Sequence, residues 1–149
     1  MILYTIGYEK ATSKAVLDTL QEAGVKLLVD VRAVAASRRA GFSKRQLAAG
    51  LDERGIHYIH LRGLGTPKEG REAAKSGDMN TLERIYTKHL KTDEAIQEMS
   101  ELNALIHNSG PVCILCYERD HSECHRHFIA DMLMERERIR IENLVAPLF

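Results

Sequence analysis

Residues 112–133 read VCILCYERDHSECHRHFIADML. The stretch opens on a short apolar run, 112–116, with the length and composition of a buried strand. A charged loop follows over 117–123, then Cys124-His125-Arg126, after which Phe128, Ile129, Met132 and Leu133 recur at helical spacing. A buried strand that leads through a loop into an amphipathic helix is the unit of a parallel sheet, because parallel neighbours need a crossover rather than a hairpin. The same stretch holds all three cysteines of the chain and three of its seven histidines.

The unit repeats along the chain. Residues 2–6 are apolar and end at Gly7, which suits a strand. Thr12 or Ser13 can cap a helix to about Ala23, with Val16, Leu17 and Leu20 on one face and Gly24 placed to end it. A second strand is predicted over 25–31, its tip carrying Asp30 and Arg32. The next segment, 33–42 (AVAASRRAGF), has no period and reads as a loop. Ser43 and Gln46 fit a capping box that opens a helix to Arg54, with Leu47 and Leu51 inward and Gly55 as its stop. A third strand, 56–61, alternates: Ile56, Tyr58 and His60 on one side, His57, Ile59 and Leu61 on the other.

Residues 62–79 are rich in glycine and weakly patterned, and are expected to form a long, partly helical excursion beside a site. Asn80 with Glu83 marks a helix start, followed by apolar Leu82, Ile85, Tyr86 and Leu90. Thr92 begins another helix, with Asp93 and Glu94 where the dipole favours them and Ile96, Met99, Leu102 and Ile106 at helical spacing. Gly110-Pro111 ends it, and 139–145 is expected as a fifth strand.

Strands alternating with helices predict an α/β fold, a mostly parallel sheet of about five strands covered on both faces, in a single domain over 1–149. Ligands of such sheets sit beyond the carboxyl ends of the strands. Four strand ends therefore converge on one edge: Gly7 and Tyr8, Asp30 and Arg32, His60 and Arg62, and Cys116 with its loop.

The formal net charge is zero, so bulk electrostatics argues neither for nor against a nucleic-acid partner. No apolar run approaches the ~20 residues of a membrane span. The start, MILYTIGYEK, has no basic region followed by a long apolar one, so a cytoplasmic location and reduced thiols are expected.

Cys116 lies where α/β thiol enzymes carry a nucleophile; the alternative is an inert, packed thiol. Cys113 is expected on the same sheet face as inert packing. Cys124 sits at a helix start, where free N–H groups favour a thiolate or an anion. His125 is a candidate acid or base, and Arg126 a candidate clamp for phosphate or carboxylate, unless it pairs with a carboxylate. Asp30, His60 and Glu118 complete the acid–base candidates. No cofactor is predicted outright. A metal reading remains beside this: Cys116, His121, Cys124 and His125 have the softness zinc selects, in a spacing of no common finger. The H-x-E at His121-Ser122-Glu123 lacks the P-C-x-x-C of zinc deaminases.

From Asp30 to Arg62 there are seven Lys or Arg against three acids. Arg38, Arg39, Lys44 and Arg45 flank a Ser-capped helix start, which suits phosphate contact; a solvated basic face is the plain alternative. Gly7, Tyr8, Arg32, Ser37, Arg38, Lys44, Gly65 and Arg126 are the candidate ligand-binding residues.

These residues resemble the DUF488 family nearly end to end. The family's T-I-G-[HY] is Thr5-Ile6-Gly7-Tyr8 here, its D-V-R is Asp30-Val31-Arg32, and its P-x-S-R-like segment is Ala35-Ala36-Ser37-Arg38. Phe42-Ser43-Lys44 matches F-[NS]-K, and Gly55-Ile56-His57-Tyr58-Ile59-His60-Leu61 with Leu64-Gly65-Thr66 matches G-I-x-Y-x-H-L…L-G-[GT]. Cys116-Tyr117-Glu118 and Cys124-His125-Arg126 match C-x-E and C-H-R. The chain departs from the pattern at Ala35, where proline is usual, and at Tyr8-Glu9, where His-Ser is common. The resemblance implies a three-layer α/β sandwich of Rossmann-like or rhodanese-like architecture, and no particular reaction. A looser likeness to rhodanese-type and Cys-based phosphatase domains is one of architecture only.

Three functions follow as expectations. The first is an enzyme acting on a phosphorylated or anionic ligand, a nucleotide or nucleic acid, through a Cys nucleophile or an acid–base pair. The second is a binding module that uses the same arginines without chemistry. The third is a Cys/His metal-binding protein.

Overall fold

The computed structural model describes residues 1–148; Phe149, the last residue of the expected domain, lies outside them. Five parallel strands form one sheet: β1 (Ile2–Gly7), β2 (Leu27–Asp30), β3 (His57–His60), β4 (Val112–Cys116) and β5 (Arg140–Leu144), in the order β3-β2-β4-β1-β5. The helices are α1 (Ser13–Glu22), α2 (Lys44–Asp52), α3 (Lys68–Lys75), α4 (Met79–His89), α5 (Asp93–Asn108) and α6 (Arg126–Arg136). No helix among the described residues is long and apolar enough to cross a membrane.

The sheet is the middle of three layers because each strand alternates between two cores. Val29, Ile114 and Cys116 face a core closed by Tyr86 of α4, Leu102 of α5 and Ile129 of α6. Leu28, Cys113 and Leu115 face the opposite core, closed by Val16 and Leu20 of α1 and Leu47 and Leu51 of α2. Cys113 and Cys116 are three residues apart, so the period of two sends them to opposite faces, contrary to the expectation that they share one.

The strand order is not the 3-2-1 run of the Rossmann half, because β4 is inserted between β2 and β1. The connections after β1 and β2 run toward the β3 edge, and the one after β4 runs toward the β5 edge. The loops after β4 and its neighbours therefore diverge, and a crevice opens at their carboxyl ends.

Two expected caps differ. Ser43 precedes α2 but makes no cap bond; its Oγ accepts from Ser37 N and donates to Ser37 O, both at 3.2 Å. Gln46 Oε1 accepts from Gly41 N at 3.1 Å. Both side chains hold the preceding loop in place of a reciprocal box. Helix α4 is capped by Asp78, which accepts from Thr81 N at 3.1 Å, so it begins ahead of Asn80. The inward stripe of α5 is Ala95, Met99, Leu102 and Ile106; Ile96 stands one position off it and is 53% exposed. Thr12 and Thr92 cap α1 and α5 as expected.

Candidate functional site

The crevice holds a cleft of about 220 Å³. Tyr8 borders it from the end of β1, Arg32 from the end of β2, and Cys116 with Glu118 from the end of β4. His125 enters from the start of α6, and Thr66 and Arg71 from the segment after β3. Ala33, Val34 and Ala36 give it an apolar rim.

The wall beyond β2 rests on a buried ion pair. Asp30 is wholly buried, and Arg32 grips both its oxygens through Nε and Nη2. Tyr58 adds its hydroxyl to Asp30 Oδ2 at 2.6 Å. Burial, with the Asp30 carboxylate beside it, raises the Tyr58 phenol above its ordinary value and keeps it a donor. Arg32 Nη1 reaches the Phe42 carbonyl at 2.8 Å and the Tyr8 hydroxyl at 3.2 Å. Tyr8 stacks on Phe42 with ring centroids 4.4 Å apart. Asp30 is thus spent on Arg32 and Tyr58 and does not reach the cleft, whereas Arg32 does.

The opposite wall is the β4–α6 loop, held from beneath by Arg126. This guanidinium is fully buried. It donates to Thr5 Oγ1 (3.2 Å), Cys116 Sγ (3.0 Å) and the carbonyls of Glu118 and Arg119. No carboxylate pairs with it among the described residues. Burial pulls its pKa down to about 10, so it stays charged at neutral pH. Arg126 is therefore the internal strut of the loop rather than part of the cleft wall. Gly7 serves the same joint: a Cβ there would collide with the Glu118 carbonyl and Arg126 Nη1.

Cys116 and Cys124 are joined as a disulfide, contrary to the expectation of reduced thiols. Sequence spacing could not show that the loop folds back to bring its two ends together. Cys113 is a free, buried thiol whose pKa burial raises. His125 bonds the Val31 carbonyl through Nε2 at 2.8 Å, and its Nδ1 lies 3.5 Å from Cys124 Sγ. Donation from Nε2 leaves Nδ1 with its lone pair. Burial lowers the His125 pKa to about 4, so the ring is neutral at pH 7. Glu118 Oε2 lies 3.9 Å from Cys116 Sγ, and burial raises the Glu118 carboxyl. Cys116 Sγ, Cys124 Sγ and a His125 nitrogen lie within 4.8 Å of one another; His121, expected with them, stands exposed and apart.

Other expected residues stand outside the cleft. His60 Nε2 meets the Arg32 carbonyl at 2.7 Å and orients the backbone there. Gly65 packs flat on Ala33, where a Cβ would strike the backbone. Ser37 bonds Ser43 and Arg39 N. Arg38 and Lys44 are exposed and do not line the cleft, and Arg39 is tied to the Ala11 carbonyl. Arg71, Thr66 and Tyr117 line the cleft and were not singled out by sequence. Arg71 Nη1 donates to the Thr66 carbonyl at 2.9 Å, and no carboxylate pairs with Arg71 among the described residues. The only hint of it was the glycine-rich excursion that carries it.

The family model described as "Domain of unknown function DUF488" matches residues 12–133. No curated protein and no solved structure matches the chain. The matched span takes in the D-V-R strand end, the C-x-E strand end and the C-H-R helix start, which are the segments that build the two walls of the cleft. The chain belongs to the DUF488 family.

Proposed function

We propose that this protein is an enzyme acting on a small anionic molecule, of the class of phosphorylated metabolites or mononucleotides, held in the cleft at the carboxyl edge of the sheet. The observation that carries this reading is Arg71, a guanidinium on the cleft wall with no carboxylate partner among the described residues. A guanidinium in that position is suited to a phosphate or carboxylate. The cleft volume favours a phosphosugar or the phosphate-bearing part of a nucleotide over a nucleic-acid duplex.

Arg71 and the outer edge of Arg32 bind the anion in this reading. Tyr8 and Tyr117 offer aromatic surface to the rest of the molecule. Glu118 is the acid–base group, because of the four acid–base candidates it alone lines the cleft without a carbonyl or ion-pair partner for its side chain. Cys116 adds a nucleophile only once its bond to Cys124 is reduced. The pure binding module would use Arg32, Arg38 and Arg126 without chemistry; Arg38 is exposed and does not line the cleft, and Arg126 is buried beneath the loop, so that reading has less support.

Calorimetric titration tests the reading with nucleoside monophosphates and sugar phosphates against their unphosphorylated counterparts. The phosphorylated forms should bind at least about tenfold tighter, and Arg71→Ala should remove the difference. Glu118→Gln should keep binding and lose turnover of whichever phosphate ester a substrate panel finds. Equal binding of charged and uncharged forms would overturn the anion site, and unchanged turnover in Glu118→Gln would overturn the acid–base role.

A further inference from the structure

We propose that the reduced chain binds one soft divalent metal ion, zinc by its donor chemistry, through Cys116 Sγ, Cys124 Sγ and His125 Nδ1, with an open coordination position facing the cleft. The disulfide is the empty, oxidised form of this site. Three independent features of the geometry lead there.

The first is the donor set. The three donor atoms lie within 4.8 Å of one another, and Cys116, Cys124 and His125 are 1%, 1% and 8% exposed. Two thiolates and an imidazole select zinc over the hard cations. The Cα atoms of the two cysteines are 7.4 Å apart, a span over which two sulfurs can share an ion.

The second is the orientation of the imidazole. Its Nε2–H is held by the Val31 carbonyl, which turns the Nδ1 lone pair toward Cys124 Sγ. Metal-bound histidines are fixed in this way, by an outer acceptor that sets the tautomer and the ring plane. The third is Arg126. A fully buried guanidinium without a carboxylate partner donates to Cys116 Sγ at 3.0 Å, and a thiolate there supplies its missing counter-charge.

Because Cys116 and His125 both border the cleft, a fourth ligand would enter from it. Three protein ligands and one open position are the arrangement of catalytic rather than structural zinc. Disulfide and metal exclude each other. Two molecules of a low-molecular-weight thiol, RSH, reduce the bridge and leave as RSSR, giving Cys116–SH and Cys124–SH. Metal binding then forms two metal–sulfur bonds and releases both thiol protons to solvent.

The test uses the full chain without a polyhistidine tag, reduced and stripped of metal, and titrated with Co²⁺ and with Zn²⁺. The expected result is one ion per chain, with a near-ultraviolet thiolate-to-cobalt band and intense visible bands of four-coordinate cobalt. Cys116→Ser and Cys124→Ser should lose these bands and His125→Ala should weaken binding, while Cys113→Ser should match the wild type. Oxidation with a small disulfide should release the ion, and added thiol should restore binding. A reduced wild type with no thiolate-to-cobalt band overturns the proposal, whether or not the variants fold. So does full binding in a Cys116→Ser, Cys124→Ser double variant.

Discussion

Arg32 holds Asp30 by two parallel N–H donors, Nε on Oδ1 at 2.9 Å and Nη2 on Oδ2 at 2.7 Å, with both side chains shielded from water. The pair is two residues long in sequence, yet it fixes where the whole loop after β2 leaves the sheet. Removing one charge strands the other. Asp30→Asn should therefore destabilise the fold by about 3–5 kcal/mol in urea unfolding. A double replacement, Asp30→Leu with Arg32→Met, should lose less than Asp30→Asn alone; an additive loss would show that the charges are not coupled.

Arg126 makes four different contacts with one planar group, which a lysine cannot reproduce. Arg126→Lys should leave at least one buried loop carbonyl unsatisfied and cost about 2 kcal/mol or more. Limited proteolysis should then cut within 117–123 faster than in the wild type.

Gly65 lies against the backbone of Ala33 with no room for a methyl group. Gly65→Ala should push the two loops apart, lower stability by about 1–3 kcal/mol and widen the cleft. Gly77→Ala is the comparison on the other side: nothing crowds its Cβ, but its φ of +78° is one that only glycine adopts freely, so its cost is one of backbone conformation alone.

Glu98 leans on Gly63, and its Oε2 is buried without a hydrogen-bond partner. Burial first, and the neighbouring Glu94 carboxylate next, raise its pKa in the folded chain. The folded state thus favours the protonated acid. Its stabilising contribution is full below the unfolded value and fades as pH rises through the raised folded one. Glu98→Gln should accordingly raise the melting temperature at pH 7, with the gain shrinking toward pH 4. A constant difference across that range would count against this origin.

Cys113 faces the α1/α2 core, fully buried, with its thiol pKa raised by burial. In a Cys116→Ser, Cys124→Ser background it should be silent to a thiol reagent while the chain is folded and react fully in denaturant. Fast labelling of the folded variant would show that this face opens.

The layers of the fold were legible because a strand buried on both faces leaves an uninterrupted apolar run, as at Val112–Cys116 and at 27–29. The insertion of β4 between β1 and β2 was not, since pairing partners leave no local mark in a parallel sheet. A cleft does lie at the strand ends that the alternation points to, but the residues there divide in ways periodicity cannot see. His60 and Arg126 reach the right place and then turn their polar atoms on the backbone, whereas Arg32 and Glu118 keep an edge on the cleft. Arg71 leaves no mark in the sequence, because a lone arginine on a short helix carries no pattern of its own. Ser43 and Gln46 matched a helix-start motif and were drawn away by an irregular loop whose demands only the folded chain reveals.

The position of β1 has a consequence for how this protein is made. Its neighbours among the described residues are β4 and β5, so this strand leaves the ribosome with no pairing partner in the next hundred or so residues. Until residue 112 emerges, ILYTIG is an unpaired apolar strand with both edges open, the kind of segment that holdase chaperones bind and that nascent chains of the same message can pair through. The ligand edge inherits the delay. Thr5 and Gly7 meet Arg126 only after the residues of α6 have been made, and a chain stalled before that point has the residues of α1 to α5 and no cleft.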